Sequence, residues 1–362
     1  MGILRILLAI AVVLAHSGPI FGFSYLDGTM AVQSFFIVSG FYMSMILTEK
    51  YKGADSYVLF ISNRLLRLFP TYLFVALLTL ISVFVIPEVG FPRTIQTDFK
   101  DLTLLSRLYV IAVNLLLVGQ DTAMFLGLNS TGALHFTTNF VHSKPMVFMF
   151  LLCPQAWSLS LELIFYFIAP FLVRKKISFI LFVMLLSLTL RLWIYHQGLF
   201  ADPWTYRFFP TELFYFLLGC ISYRIYGYIK NMEKFNKVGS IALWALLLLI
   251  CVFNYIAVPY TIKQSMFYLI FAAAIPFVFN YTKKLKFDRF IGELSYPIYL
   301  THFFIINFVL EFLHQHLAIA KVMPLLAVVF SILFSILIGK YLIKPIDNYR
   351  ERRVGQFKKG HL

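Results

Sequence analysis

Charged residues are scarce in this sequence. Asp, Glu, Lys and Arg make up 13% of its 362 residues, whereas they make up about a quarter of an average soluble domain. Hydrophobic residues make up 60%, and the mean hydropathy is +0.83. This composition excludes a soluble globular protein, because so much apolar surface cannot be hidden in one core and must be solvated by lipid.

The signatures of several kinds of site are also missing. The three cysteines, Cys153, Cys220 and Cys251, show neither the spacing of a metal site nor that of a disulfide framework. The sequence contains no HExxH, P-loop, GxGxxG or GxSxG pattern. We therefore expect no metal site and no permanently bound cofactor.

The net charge of +15 is high enough to suit nucleic-acid binding. The basic residues, however, lie in the short loops between apolar runs, which is their ordinary place in a membrane protein. We therefore expect membrane lipid around the chain and no nucleic-acid partner.

The apolar runs are about 17 to 23 residues long, which suits helices that cross roughly 30 Å of hydrocarbon. They lack the alternation of barrel strands. The sequence thus predicts an all-α polytopic membrane protein with about ten transmembrane helices. The predicted spans are residues 3–20, 31–48, 68–87, 157–173, 177–196, 208–228, 238–257, 264–282, 290–312 and 322–344.

Lys and Arg are distributed unevenly between the two sides of this arrangement. One side holds 23 of the 31 basic residues. It comprises Arg5 and the loops 49–67, 174–176, 224–237, 283–289 and 340–362. Because cytoplasmic loops carry the excess of Lys and Arg, we expect both termini in the cytoplasm.

The apolar stretch 104–126 does not fit this pattern as a single crossing, because it would invert every later loop. We expect it to lie in the interface or to re-enter. A crossing paired with 146–156 is the remaining alternative. Residues 88–156 would then form an outer-side cap, and a long ordered segment of this kind is usually functional.

Both ends of the chain carry simple expectations. The first 20 residues resemble a signal peptide, but with nine spans downstream we expect an uncleaved signal-anchor. Residues 1–344 are expected to form one transmembrane domain. Residues 345–362 are expected to be a short basic cytoplasmic tail that anchors the protein on anionic lipid.

Ionisable residues inside membrane spans are costly, so each is a functional candidate. His16, Glu162, His302 and Arg191 are the four that stand out. His16 and Arg5 are 11 residues apart, so they share one helix face at a separation of about 16 Å. The alternatives are an anchoring role for Arg5 and backbone-bonded, structural roles for the two histidines.

Glu162 is predicted to lie at the same depth as His16. A carboxylate beside a neutral imidazole favours general-base catalysis, and Ser158 and Ser160 are placed to orient either group. Alternatively, Glu162 is structural and bonded to the backbone or to Arg191.

Arg64 and Arg67 precede the third predicted span and share a helix face. Their planar guanidinium groups suit phosphate. Positive-inside anchoring is the alternative.

Four blocks of sequence resemble acyltransferase family 3, the bacterial integral-membrane acyltransferases that modify surface glycans. They are Arg5 to His16, Val32–Phe41 with Gln33 and the sequence VQSFFIVSGF, Arg64–Tyr72, and Trp157–Tyr166, with Ser295–His302 in support. The blocks occur in the family's order over nearly the whole chain. Since residues 17–26 contain no Asp or Glu, the acidic residue that often follows the family's histidine is absent. We expect the standalone form of the family, without an appended hydrolase-like domain.

The resemblance implies transfer of an acyl group, by default acetyl, from cytoplasmic acyl-CoA to a hydroxyl of a surface or exported glycan or glycolipid. It implies a multi-pass protein of the bacterial cytoplasmic membrane, and it leaves monomer and homo-oligomer open. His16 and Glu162 are the expected catalytic residues, and Arg5, Arg64 and Arg67 the expected phosphate ligands. Ser158, Ser160, Arg191, His302 and Gln33 are expected to support them or to contact substrate.

Two other functions suit a bundle with buried ionisable residues. One is a transporter or flippase of a small solute or lipid-linked sugar, although the repeated halves and broken helices typical of transporters are not visible. The other is a structural or sensory membrane protein, which would need neither the Arg5–His16 spacing nor a deep carboxylate.

Overall fold

A computed structural model describes residues 1–53, 56–86, 93–232, 235–313 and 322–359. Position 87 of the third predicted span, residues 88–92 of the expected cap and residues 360–362 of the expected tail lie outside this part. The helices are α1 (Gly2–Ser17), α2 (Gly28–Glu49), α3 (Ser56–Val85), α4 (Thr94–Thr97), α5 (Leu104–Leu116), α6 (Trp157–Leu172), α7 (Ile177–His196), α8 (Phe209–Ile229), α9 (Phe235–Val252), α10 (Tyr260–Thr282), α11 (Lys286–Glu293), α12 (Ser295–Leu313), α13 (Met323–Ile338) and α14 (Lys344–Lys359).

Most predicted spans correspond to one of these helices within a few residues, and the prediction for 177–196 is confirmed at both ends. The third span was predicted too short. Helix α3 begins at Ser56 and continues through Pro70, although proline lacks the N–H that would bond four residues back. The sequence before Pro70 was therefore mistaken for a loop, and Arg64 and Arg67 lie within the helix.

Two other predicted spans differ in the structure. The span predicted at 290–312 is broken at Leu294, which separates α11 from α12. The span predicted at 322–344 does not end there, because α13 passes through a π-helical turn, Gly339–Ile343, directly into α14.

Seven helical segments of the described chain are long and apolar enough to cross a membrane. They are Gly28–Glu49, Ser56–Val85, Pro154–Leu172, Ile177–His196, Phe235–Tyr255, Tyr260–Thr282 and Met323–Phe357. Helices α1 and α5 are apolar but shorter. The protein is therefore a multi-pass α-helical membrane protein, and the count of ten spans and the position of the termini stay predictions.

Glycine allows α2 and α8 to pack closely. A Cβ atom at Gly40 would lie 1.9 Å from the carbonyl oxygen of Phe216, and one at Gly219 would lie 1.9 Å from that of Ile37. Small residues at helix interfaces let backbones approach in this way. At its start, α2 is capped by Asp27, which accepts hydrogen bonds from the backbone N–H groups of Thr29 and Met30.

The segment from 93 to 156 contains several short elements. Helix α5 has 13 residues and is about 20 Å long, which is too short to cross the hydrocarbon as a single helix. Strands β1 (Leu126–Leu128) and β2 (Leu134–Phe136) form an antiparallel hairpin. The 3₁₀ turns are Phe99–Asp101, Gln120–Phe125, Phe140–His142, Val147–Phe150 and Pro154–Ala156, with Phe253–Tyr255 elsewhere in the chain.

Asn114 connects α5 to the rest of this segment. Its side-chain amide donates to the carbonyl oxygens of Val110 and Phe150 and accepts from the N–H of Leu152 at 2.8 Å. Its backbone carbonyl accepts from the hydroxyl of Tyr72 in α3 at 2.6 Å. Asn114 thus fixes α5 in place against both the 93–156 segment and α3.

The expected tail is largely helix α14, which packs against α3. The guanidinium of Arg353 donates to the side chains of Asn63 and Ser62, each at 2.9 Å. Residues 344–359 therefore belong to the folded bundle.

Candidate active site

A cavity of about 470 Å³ lies between α1, α2, α3, α6, α10, α11, α12 and α14, a volume within the range of small-molecule sites. One end is lined by Met1 and by residues of α11 and α14, and we call it the basic end. The other end, which we call the inner end because it lies toward the middle of the bundle, is lined by Phe35, Ser158 and Tyr299. The cavity therefore runs along the bundle from the start of α1 toward its middle.

Seven Lys and Arg side chains and five carboxylates line this cavity. The cations are Arg5, Lys50, Arg64, Arg67, Lys283, Arg289 and Arg350, and the carboxylates are Glu162, Asp288, Glu293, Asp347 and Glu351. The structure thus brings together the three arginines that the sequence singled out. Within the described part of the chain, no ion pair involves Arg5, Arg64 or Arg67.

Aromatic rings accompany two of these arginines. The Arg5 guanidinium lies 5.9 Å from the centre of the Tyr42 ring. That of Arg64 lies 5.9 Å from the rings of both Phe60 and Tyr166. Arg64 is 8% exposed, and its buried Nε has no hydrogen-bond partner among the described residues. Because an unpartnered buried donor is costly, this atom marks a place for an acceptor.

The negative charge of Asp288, by contrast, is already compensated by hydrogen-bond donors at the start of α1. The amino group of Met1 and the N–H of Gly2 each lie 2.7 Å from Asp288 Oδ2, and the N–H of Ile3 lies 2.9 Å from Oδ1. Burial alone would raise the pKa of Asp288, but these hydrogen bonds hold its pKa below the usual range. This carboxylate therefore does little to repel an anion from the basic end.

Glu162 lies on α6 in the wall of the cavity. Its Oε1 accepts a hydrogen bond from the hydroxyl of Ser39 at 2.7 Å and another from the hydroxyl of Tyr166. Ser39 comes from the second sequence block, and sequence reasoning did not single it out. Among the described residues no hydrogen bond or ion pair joins Glu162 to His16 or to Arg191.

The two serines near Glu162 have other partners. The Ser158 hydroxyl lies 2.6 Å from that of Tyr299 at the inner end of the cavity. The Ser160 hydroxyl donates to Asp121 at 2.6 Å and accepts from the N–H of Gly119 at 2.9 Å. Ser158 therefore shapes the cavity, whereas Ser160 anchors the 93–156 segment to α6.

His16 lies outside the cavity, beyond its inner end. Ring contacts lead from the cavity wall to it: the Tyr299 and His302 centroids are 5.8 Å apart, and the His302 and His16 centroids are 5.0 Å apart. The His16 side chain also packs on Phe303, at 4.6 Å. His302 is fully buried, whereas His16 is exposed.

Backbone carbonyls fix the tautomers of both histidines. Nδ1 of His16 lies 2.9 Å from the carbonyl oxygen of Val12, and Nδ1 of His302 is bonded to that of Tyr299. Since a carbonyl can only accept, each Nδ1 carries the proton and each Nε2 is left with its lone pair. Val12 thus takes the orienting role that an acidic partner was expected to fill.

Arg207 is the cation whose charge acts on His16. It is held in a two-pronged ion pair with Asp202, with its Nε 2.7 Å from Oδ1, and its guanidinium lies 4.3 Å from the centre of the Trp157 ring. The sequence did not single out Arg207, because nothing local indicates a neighbour almost 200 positions away.

Arg191 belongs to a different polar cluster. Its Nη1 lies 2.8 Å from Oε1 of Glu212, a fully buried carboxylate that also accepts from the side chain of Gln33 at 2.9 and 3.1 Å. Gln33 in turn accepts from the hydroxyl of Tyr268. Arg191 and Gln33 are therefore not in the cavity wall, and sequence reasoning overlooked Glu212 although it lies inside a predicted span.

A family model described as an acyltransferase domain matches residues 1–343, and the match ends just before α14. An uncharacterized protein of Aquifex aeolicus (strain VF5) is 29% identical over 214 residues, which are 55% of this chain and 88% of that protein. No solved structure matches the chain.

Proposed function

Because the chain belongs to acyltransferase family 3 and is therefore a membrane acyltransferase, we propose that it moves an acetyl group from cytoplasmic acyl-CoA to a hydroxyl of a surface or exported glycan. The observation that carries this proposal is the cavity. Arg5, Arg64 and Arg67 line it toward its basic end and form no ion pair among the described residues, and the Tyr299 and His302 rings lead from its inner end to His16.

The donor would enter from the basic end, which we place at the cytoplasmic face of a bacterial inner membrane. Arg5, Arg64 and Arg67 would bind its phosphates, since arginine forks match phosphate oxygens. The pantetheine arm would extend along the cavity past Glu162. With Oε1 engaged by Ser39 and Tyr166, Oε2 of Glu162 would accept a hydrogen bond from an amide N–H of that arm.

His16 would act as general base on the acceptor. Its Nε2 would remove the hydroxyl proton, the oxygen would attack the thioester carbon, and the C–S bond would break as the C–O ester bond forms. The imidazolium would then return the proton to the departing thiolate, so that CoA leaves as the thiol. His302 is a positioning residue here, because its ring supports that of His16 at 5.0 Å.

The exposure of His16 supports an acceptor that arrives from the side opposite the basic end. A glycan or glycolipid hydroxyl would meet the base there without passing through the cavity. The donor phosphates and the acceptor would therefore occupy opposite ends of one bundle, as the Arg5–His16 spacing suggested.

The test uses membranes with labelled acetyl-CoA and the variant His16→Ala. We expect at least a hundredfold loss of acetyl transfer, because general-base catalysis contributes about 10²–10⁴ in rate. His196→Ala is the matched control, since His196 is exposed at the end of α7. Normal acetylation of glycan by a well-expressed His16→Ala protein would overturn the role of His16.

Mass spectrometry of surface glycan from wild-type and deletion strains identifies the product. A shift of one acetyl group on a defined sugar would support the proposal, and the mass of a succinyl or longer group would correct the donor. Unchanged glycan together with lost uptake of a solute would favour transport instead.

A further inference from the structure

Helix α14 contributes three residues to the wall of the donor cavity. Asp347, Arg350 and Glu351 line it at the basic end, beside Arg64 and Arg67. The charge of Arg350 acts on both of those arginines. A segment whose sequence suggests only a lipid anchor therefore forms part of a binding cavity.

The Arg350 side chain is buried in the same way as that of Arg64. It is 8% exposed, and its Nε is buried without a hydrogen-bond partner among the described residues. Its Nη1 is engaged by Asp347, which leaves the edge formed by Nε and Nη2. That edge presents two parallel N–H groups, the arrangement that binds two oxygens of one phosphate.

Arg64 and Arg350 are the two arginines of the described chain that bury an unpartnered Nε. They come from helices far apart in sequence, yet both line this cavity. Arg350 has an ion pair with Asp347, whereas Arg64 has none among the described residues. Because like charges close together destabilise each other, an anion that engages both would stabilise the arrangement.

We propose that Arg350 is a phosphate ligand of the CoA donor and that α14 completes the donor site. This inference rests on the proposed function for the identity of the anion. Arg353 holds the helix in place through Asn63 and Ser62, the residues immediately before Arg64. The terminal helix and the arginines of α3 therefore form one anion-binding unit.

The experiment compares the purified, full-length wild type with Arg350→Gln, Arg350→Lys and Arg352→Gln. Arg352 is the matched control, because it is an exposed arginine on the same helix. Binding and transfer are measured with acetyl-CoA and with acetyl-pantetheine, which lacks every phosphate. Elution as one symmetric peak in size-exclusion chromatography checks folding.

We expect Arg350→Gln to weaken acetyl-CoA binding and raise its KM about ten- to a hundredfold, which corresponds to loss of a charge-assisted hydrogen bond. Transfer from acetyl-pantetheine should stay unchanged, which also shows that the variant is folded. Arg350→Lys should recover only part of the loss, because lysine keeps the charge but not the fork. Arg352→Gln should match wild type with both donors.

Three results would overturn the inference. Wild-type affinity of Arg350→Gln for acetyl-CoA would show that Arg350 contacts no phosphate. An equal loss with both donors would show a structural role. If wild type itself binds no acetyl-CoA, the donor assignment fails first, so that outcome is distinguishable from a failure of the role of Arg350 alone.

Discussion

The pair formed by Arg191 and Glu212 allows a quantitative test of whether Arg191 supports the fold or the reaction. Glu212 has no exposed side-chain surface, while Arg191 keeps 19% of its side chain exposed. Removing one partner of a buried ion pair costs about 3–5 kcal/mol, because the other charge is left unpaired. Gln33 still donates to Glu212, so we expect Arg191→Gln to cost about 3 kcal/mol, the lower limit of that range.

The two single changes and the double change form a thermodynamic cycle. Glu212→Gln should cost less than Arg191→Gln, because the partly exposed guanidinium can be hydrated. The double variant should lose less stability than the two single changes added together, by about 0.5–3 kcal/mol, the usual coupling of residues in one network. Chemical unfolding in detergent micelles measures these values. Lys176→Gln, an exposed change just before the same helix, should stay within about 0.5 kcal/mol of wild type.

Additive effects of the two single changes would refute the network. A folded double variant that transfers acetyl at the wild-type rate would establish Arg191 and Glu212 as structural. A folded double variant without transfer would instead give this cluster a role in the reaction.

Two further predictions concern the fold. Gly40→Ala places a Cβ 1.9 Å from the carbonyl oxygen of Phe216, so it should destabilise the protein by about 1–3 kcal/mol; Gly227→Ala, where an added Cβ meets nothing within 4 Å, should raise stability by about 0.5–1 kcal/mol. An equal effect at both glycines on the midpoint of thermal unfolding would contradict the helix contact. Burial raises the pKa of Asp121 despite its bond from Ser160, so the folded protein holds that proton more tightly than the unfolded chain. The stabilisation that this bound proton gives the folded protein is present below the unfolded pKa of about 3.9. It is lost as pH rises through the raised pKa of Asp121 in the folded protein. Asp121→Asn should therefore unfold at a higher temperature than wild type at neutral pH but at the same temperature near pH 4; a constant difference across this range would refute the assignment.

The sequence was sufficient for features that depend on local pattern. Apolar run length located most of the helices, and the three arginines that the sequence singled out together, Arg5, Arg64 and Arg67, line one cavity. Glu162, which was predicted at the depth of His16, lines the same cavity. The start of the third span was predicted wrongly because of Pro70. Proline usually lies at the beginning of a helix or ends it, but here it lies in the middle of α3.

The features that could not be predicted join residues far apart in the chain. His16 meets His302 across 286 positions, and Glu212 meets Gln33 across 179. Periodicity gives the face of a helix but not the helix that covers it. The sequence favoured Glu162 as the neighbour of His16, whereas Nδ1 of His16 is bonded to the carbonyl of Val12, one turn earlier in α1.

Arg350 shows why unpaired donors are more informative than total charge. A net charge of +15 and a basic C-terminal segment suit lipid anchoring, nucleic-acid binding and donor binding equally well. A buried guanidinium Nε that has no acceptor among the described residues fits only donor binding, because an anchor on lipid leaves its cations hydrated at the surface. Two such atoms line the cavity from neighbouring helices, Arg64 on α3 and Arg350 on α14, and together they favour an acceptor small enough to enter the cavity and charged enough to engage both. A phosphate group on a long, narrow arm meets both requirements, which is why the position of α14 favours a CoA thioester over a lipid surface.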